Sequence, residues 1–242
     1  MKPDYSMIDT IKSLRFEGMS FGYSSERRIF ENVTCEIPVD RIVMIEGERG
    51  GGQSTLLKLI GVLMQPHSGA FLVNGLNTTH MSFEEFLPIR RLISYTFDYG
   101  GLFANRTLRD NLTLGLLYHK SLSFDEANEQ AQRMAEHFGF QRQIDERPAA
   151  VSGGLRKLTC VLRSFMMNPE MLVMDDPFMG LDTESATKVI NIIHERREAG
   201  QMKHVFFTSR DEFWPKKLGY DSLVLESGAF KFREKSKLTG AA

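Results

Sequence analysis

The segment that most constrains this chain is Gly47–Thr55, reading GERGGGQST, set between the apolar run Arg41–Glu46 and a leucine-rich stretch from Leu56. A strand that turns through glycines into a helix makes a cradle for phosphate. Glycines let backbone amides approach an anion, and the helix N-terminus adds its partial positive charge. The pattern G-x-x-x-x-G-K-[ST] runs from Gly47 through Gly52 to Ser54, with Arg49, Gly50 and Gly51 inside the loop and Thr55 after it. Gln53 stands where that pattern has lysine. By itself the segment reads either as a phosphate site without its main cation or as a glycine-rich turn that joins a strand to a helix.

The surrounding chain has to decide between these. Its 242 residues suffice for one large domain or two modest ones, and 42% hydrophobic with 25% charged residues suits a globular protein with a sizeable core. Lys+Arg 30 against Asp+Glu 31 gives a net charge of −1, which argues against nucleic acid as the main partner. Cys35 and Cys160 lie far apart without metal spacing and are expected to be free thiols. The sequence has no apolar run near the roughly 18 residues of a membrane span. Residues 1–14 have no h-region and are not expected to form a secretory signal.

Along the chain, short strands are expected at 14–21, 29–30 and 33–37, interrupted at Gly22-Tyr23, with Pro38 before the strand that enters the loop. The helix after the loop should end near Gln65-Pro66. A strand over Ala70–Val73 then meets a strong turn at Asn74-Gly75. Residues 82–92 read as helix and 92–97 as strand. From Thr107 the pattern turns helical and charged, with Ala127, Ala131, Met134, Ala135 and Phe138 on one face. A helix after Gly153-Gly154 stops at Asn168-Pro169, and the buried-looking strand Met171–Met174 ends in Asp175-Asp176. A helix over 184–199, strands at 204–207, 222–225 and 229–232 with a turn at Ser227-Gly228, and a frayed tail at 235–242 complete the reading. Strands alternating with helices make this an α/β chain with a largely parallel central sheet.

Two further motifs accompany the glycine loop. An aspartate that closes an apolar strand can help hold Mg²⁺ beside a phosphate loop, with the loop hydroxyl as a second ligand; Asp175 and Ser54 have those positions. Val151-Ser-Gly-Gly154 precedes a helix, Ser152 is a good N-cap, and Gly153 and Gly154 permit close backbone approach.

Together these motifs resemble the nucleotide-binding subunit of ATP-binding cassette (ABC) transporters over nearly the whole length. Gly47–Thr55 matches that family's Walker A loop, VSGGL its signature sequence, and MLVMDDPFMGLD its Walker B strand and D-loop, which ends at Asp182. The resemblance implies an ABC-type P-loop fold with an N-terminal antiparallel β subdomain and a helical subdomain. The core would span roughly 1–97 and 168–242, and the helical part roughly 98–167. It further implies ATP and Mg²⁺ as ligands, Tyr23 stacking on adenine, and Ser54, Asp98 and Asp175 around the metal. Ser152, Gly153 and Gly154 would serve the site of a dimer partner, either a second copy or another ABC ATPase. Transmembrane permease subunits would hold the chain at the cytoplasmic face of the membrane. Gly101-Leu-Phe, residues 110–119 and DDPFMGLD look most like the Mla/Mce-type lipid-transport ATPases.

The departures from the family pattern fall at its polar stations. Besides Gln53 for lysine, Asp98 stands for the Q-loop glutamine, Asp176 for the glutamate that polarises the attacking water, and Arg210 for the H-loop histidine. Glutamine offers only neutral hydrogen bonds to phosphate, and Asp176 is one methylene short. Hydrolysis at this site is therefore expected to be weak or absent. Nucleotide binding remains an expectation, with Arg49 and Arg210 as surrogate cations or Arg49 as a solvated loop charge. Two other readings stay open: a structural or regulatory pseudo-ATPase that binds no nucleotide, and an active ATPase with a rewired site.

Overall fold

The computed structural model describes residues 8–24, 28–99, 101–119, 122–226 and 229–234. Two sheets carry the chain. β1 (Leu14–Gly22), β2 (Arg28–Ile37), β4 (Ser68–Val73) and β5 (Leu76–Asn77) form an antiparallel sheet in the order β2-β1-β4-β5. β3 (Ile42–Gly47), β6 (Ile93–Thr96), β7 (Met171–Met174), β8 (His204–Phe207), β9 (Asp221–Glu226) and β10 (Ala229–Arg233) form the second, in the order β10-β9-β3-β8-β7-β6. Only the β9–β10 pair of this second sheet is antiparallel.

The expected break between residues 30 and 33 is absent, because β2 runs through it. Phe30 pairs with Phe21 and Val33 with Met19, so one extra residue is absorbed on β2 where Asn32 takes φ 48°. That is a bulge, which kinks a strand without ending it. The turn expected at Asn74-Gly75 is present. Both residues have positive φ, and Val73 pairs with Leu76 across the two-residue hairpin. The turn at Ser227-Gly228 and the tail from 235 lie outside the described residues.

The helix after the glycine loop, α1 (Gln53–Ile60), stops earlier than Gln65-Pro66. The Leu63 amide donates to the Lys58 carbonyl and the Val62 amide to that of Leu59, with Val62 at φ 52°. This is a Schellman closure, and its hydrogen bonds end the helix without waiting for the proline.

The remaining helices are α2 (Phe83–Leu92), α3 (Leu108–His119), α4 (Phe124–Phe138), α5 (Gly153–Met166), α6 (Thr183–Glu198) and α7 (Phe213–Leu218). Ser82 and Ser123 open α2 and α4 with full capping boxes, closed by Glu85 and Glu126. Ala127, Ala131, Ala135 and Phe138 are buried as the spacing predicts, and Met134 packs at their margin.

Every residue of β7 and β8 is buried, as expected for strands covered on both faces. Their alternation feeds two cores. Met171, Val173 and Phe206 face α1 and the antiparallel sheet, whereas Leu172, Met174, Val205 and Phe207 face the cluster built with α3 to α7. The chain thus fixes the carboxyl ends of β3, β6, β7 and β8 side by side, the edge where open α/β sheets bind ligands.

Away from that edge, Glu170 secures the entry to the structure. Its carboxylate accepts from Thr10 Oγ1 (2.5 Å) and the Ile11 amide (3.2 Å), with Lys203 Nζ at 3.0 Å. Burial pushes its pKa up, but the nearby His204 ring at 3.7 Å and hydrogen bonds from Thr10, Lys203 and the Ile11 amide outweigh burial and hold it at about 2. A carboxyl lowered from 4.5 to about 2 contributes about 3 kcal/mol above its unfolded pKa, lost as pH falls through the folded value. Glu170→Gln should therefore lose about 3 kcal/mol at pH 7 in urea unfolding, and its deficit should shrink as pH falls from about 4 toward 2.

Candidate functional site

The glycine loop leaves β3 at Gly47 and enters α1 at Gln53. Its shape needs glycine at two places. Gly50 has φ 80°, and Gly52, the N-cap of α1, has φ 101°, values that side-chain-bearing residues rarely adopt. A Cβ on Gly52 would lie 2.5 Å from Ile29 Cγ2 and 2.9 Å from Phe30 Cζ, so β2 forms the wall behind the loop. The Gly51 amide donates to the Glu48 carbonyl at 2.8 Å and tightens the turn.

Gln53 turns its side chain back on this loop. Nε2 donates to the carbonyls of Gly47 (2.7 Å) and Glu48 (2.9 Å). A glutamine amide has two N–H groups, and both are spent here. Gln53 therefore braces the loop and adds no cation to it. Arg49 is exposed at the rim of the same cavity, about 820 Å³, which runs past Gly47, Gly50 and Ser54 to Asp175, Asp176 and Arg210.

Ser54 and Asp175 meet as expected: Ser54 Oγ donates to Asp175 Oδ1 at 3.0 Å. Thr208, just past β8, also donates to that oxygen at 2.6 Å and accepts from the Asp176 amide at 3.1 Å. Sequence reasoning missed Thr208; its one signal is its place directly after an apolar strand. Among the described residues no group of three or more His, Cys, Asp or Glu forms a metal cage. Mg²⁺ seldom needs one, because one or two oxygen ligands plus phosphates and water complete its shell. The Ser54–Asp175 pair beside the glycine cradle fits a magnesium nucleotide; Gln53 does not fit the role of its lysine.

Asp98 makes no hydrogen bond to that pair. Its Oδ2 accepts from Arg210 Nη2 at 2.7 Å, while its Oδ1 is buried without a hydrogen-bond partner. Arg210 Nη1 lies 3.4 Å from the Tyr99 hydroxyl, and Arg210 Nε lies 3.6 Å from Asp176 Oδ2, too far for a hydrogen bond. Asp176 is 3% exposed and takes φ 45°. Burial raises its pKa, opposed by the amide and guanidinium of Arg210 and reinforced by the negative charge of Asp98. Arg210 thus sits among two carboxylates and a tyrosine, with its charge already engaged.

The other expected site residues lie elsewhere. The Tyr23 hydroxyl is 3.1 Å from Thr55 Oγ1, and its half-exposed ring stands edge-on to Phe21 at 5.4 Å. Ser152 caps α5 by accepting from the Leu155 amide at 3.2 Å. Gly154 follows in the first turn, where a Cβ would come within 2.9 Å of the Gly180 carbonyl. Asp182 caps α6 through Ser185, whose amide and hydroxyl hold the carboxylate below its ordinary pKa. Ser152, Gly153, Gly154 and Asp182 line none of the phosphate cavity.

Comparison with known proteins identifies the fold and the family. Residues 30–179 match the family model described as ABC transporter. The phosphonates import ATP-binding protein PhnC 2 of Synechococcus sp. is 30% identical over 75% of this chain and 70% of its own length. The intermembrane phospholipid transport system ATP-binding protein MlaF of Escherichia coli K12 is 29% identical over 72% of this chain and 64% of its own. A dimeric ATP-binding cassette in a post-hydrolysis state, bound to ADP and Pi, superposes with a TM-score of 0.80 at 24% identity, covering 91% of this chain and 98% of that one. That last likeness speaks for the fold. On the matched residues and the relatives together, the chain belongs to the ABC transporter family as an ATP-binding subunit.

Proposed function

We propose that this chain is the nucleotide-holding subunit of an ABC transporter complex whose own site hydrolyses ATP slowly or not at all. The observation that carries the reading is the engagement of Arg210 with Asp98 at 2.7 Å, beside an Asp176 it faces at 3.6 Å. The side chains at the Q-loop and H-loop stations of the family pattern engage each other here. A raised pKa alone would suit Asp176 to act as a base. Its short carboxylate, however, faces a guanidinium, and Gln53 brings no positive charge to the phosphates.

In this reading the loop amides from Gly47 to Gly52 take the phosphates, Ser54 and Asp175 take Mg²⁺, and Tyr23 takes the base. Held by Ser54 and Asp175, the ion would supply charge neutralisation at the phosphates. Asp98 would meet the metal only through Oδ1, because Arg210 engages Oδ2. Ser152, Gly153 and Gly154 serve a dimer partner, so an intact cassette paired with this chain would carry the hydrolysis. The permease would contact the region from Asp98 to Asn105, which places the chain at the cytoplasmic face of a membrane; among the described residues no helix is long and apolar enough to cross one. A lipid cargo is supported by the similarity to MlaF and by Gly101-Leu-Phe and residues 110–119.

A titration with a fluorescent ATP analogue, with and without Mg²⁺, tests the proposal. Saturable binding strengthened by Mg²⁺ is expected. Absence of binding, alone and with a partner cassette, would establish a structural or regulatory pseudo-ATPase instead. Phosphate release at about 1 s⁻¹ or faster, within the ordinary range for phosphoryl transfer, would establish a rewired but active enzyme.

A further inference from the structure

Lys157 lies five residues beyond Ser152 on α5, outside every motif considered above. Its ammonium group reaches the carbonyls of Phe97 (3.0 Å), Asp98 (3.0 Å) and Asp175 (3.3 Å). An ammonium has three donors, and this one spends all three on backbone oxygens from two strand exits. Those exits carry Asp98 behind β6 and the Asp175–Asp176 pair behind β7. The same three aspartates are its electrostatic neighbours, together with Cys160.

The tripod is costly to hold. A half-buried lysine loses hydration and side-chain freedom, and carbonyl partners return this only where the geometry is fixed. Water could satisfy three strand-end carbonyls, so backbone satisfaction alone does not require a charge. The acidic surroundings do. Three carboxylates lie near here; Arg210 answers Asp98 and faces Asp176, while Lys157 bonds the backbone carbonyls of Asp98 and Asp175 and feels all three carboxylates through space.

We propose that Lys157 is a positioning residue of the nucleotide site: it ties the helix opened by Ser152 to the loops bearing Asp98 and Asp175, and it is the resident cation of that acidic corner. The inference rests on the site being the one proposed above. Two consequences follow. A shift of α5, whose first turn carries Ser152 and Gly154, is passed to Asp98 and Asp175 through one side chain. A divalent ion arriving beside Asp175 meets a fixed positive charge, so the corner holds metal weakly until nucleotide phosphates arrive.

The full-length chain with Lys157→Arg, Lys157→Gln or Lys157→Met, titrated with Mn²⁺ by paramagnetic resonance without nucleotide, decides this. Lys157→Gln and Lys157→Met should bind Mn²⁺ at least about tenfold more tightly than wild type, since a neighbouring like charge is removed. Lys157→Arg should stay within about twofold of wild type because the charge is retained. Equal Mn²⁺ affinity in all four proteins would overturn the proposal, as would an equal gain in the arginine variant. Melting curves confirm that each variant is folded, and Lys157→Gln, which keeps a donor, serves if Lys157→Met is not. Because this readout uses metal alone, a wild type that fails to bind the ATP analogue would refute the nucleotide reading, while the Mn²⁺ titration still decides whether Lys157 is the cation of the acidic corner.

Discussion

The variant that combines Gln53→Lys, Asp98→Gln, Asp176→Glu and Arg210→His should release phosphate from ATP at least about 100-fold faster than wild type, in a steady-state assay with Mg²⁺. A positioned base is worth on the order of 10²–10⁴ in rate, and an electrostatic stabiliser about 10²–10³. The gain should stay below the product of these, because groups that act as a unit are not additive. The structure also dictates which partial variants fail. Arg210→His alone would leave Asp98 without its 2.7 Å partner, beside the more deeply buried Asp176. Asp98→Gln alone would turn the freed guanidinium onto Asp176. Gln53→Lys alone would surrender two bonds that brace the loop, those to Gly47 and Glu48. Changes at 98 and 210 must therefore be made as a pair. A quadruple variant no faster than wild type, though it binds nucleotide, would place the defect outside these four side chains.

Loss of Arg210 should show how far the site depends on its internal ion pair. Arg210→Ala is expected to weaken binding of the ATP analogue by about tenfold or more, since it removes the cation that answers Asp98 and faces Asp176 on the exposed side of the site. Stability should fall by about 1–2 kcal/mol; the arginine is 59% exposed and Asp98 14%, so solvent screens part of the attraction. Asp98→Asn in the Arg210→Ala background should recover most of both losses. The double-mutant cycle then gives a coupling energy of about 1–2 kcal/mol. Independent effects of the two substitutions would mean that the pair does not shape the site. Raising the salt concentration should narrow the difference in affinity, because the arginine faces open solvent.

Much of the fold was legible because its signals are local. The β3–loop–α1 unit follows from an apolar run, glycines where positive φ is required and a leucine-rich segment, all within neighbouring residues. The apolar spacing of α4 buries Ala127, Ala131 and Ala135, and Asn74-Gly75 fixes a hairpin by turn chemistry alone. Two of the expected elements came out differently because of backbone hydrogen bonds, between strands for β2 and within one turn for α1. Pairing with β1 carried β2 through the bulge at Asn32, and the Schellman bonds at Val62 and Leu63 ended α1 before Pro66.

At the site, the sequence by itself determined which chemical groups are available: a glycine cradle, a hydroxyl, three aspartates, and glutamine and arginine in place of lysine and histidine. What those groups do to one another was decided only by the tertiary structure. Arg210 meets Asp98 across 112 residues of chain, and Lys157 meets the Phe97 carbonyl across 60. No spacing rule encodes such meetings. They arise because the sheet order β3-β8-β7-β6 brings four strand exits to one edge, so that side chains remote in sequence compete for the same few ångströms. Whether an arginine there is a free phosphate ligand or the counter-ion of a neighbouring aspartate depends on that order.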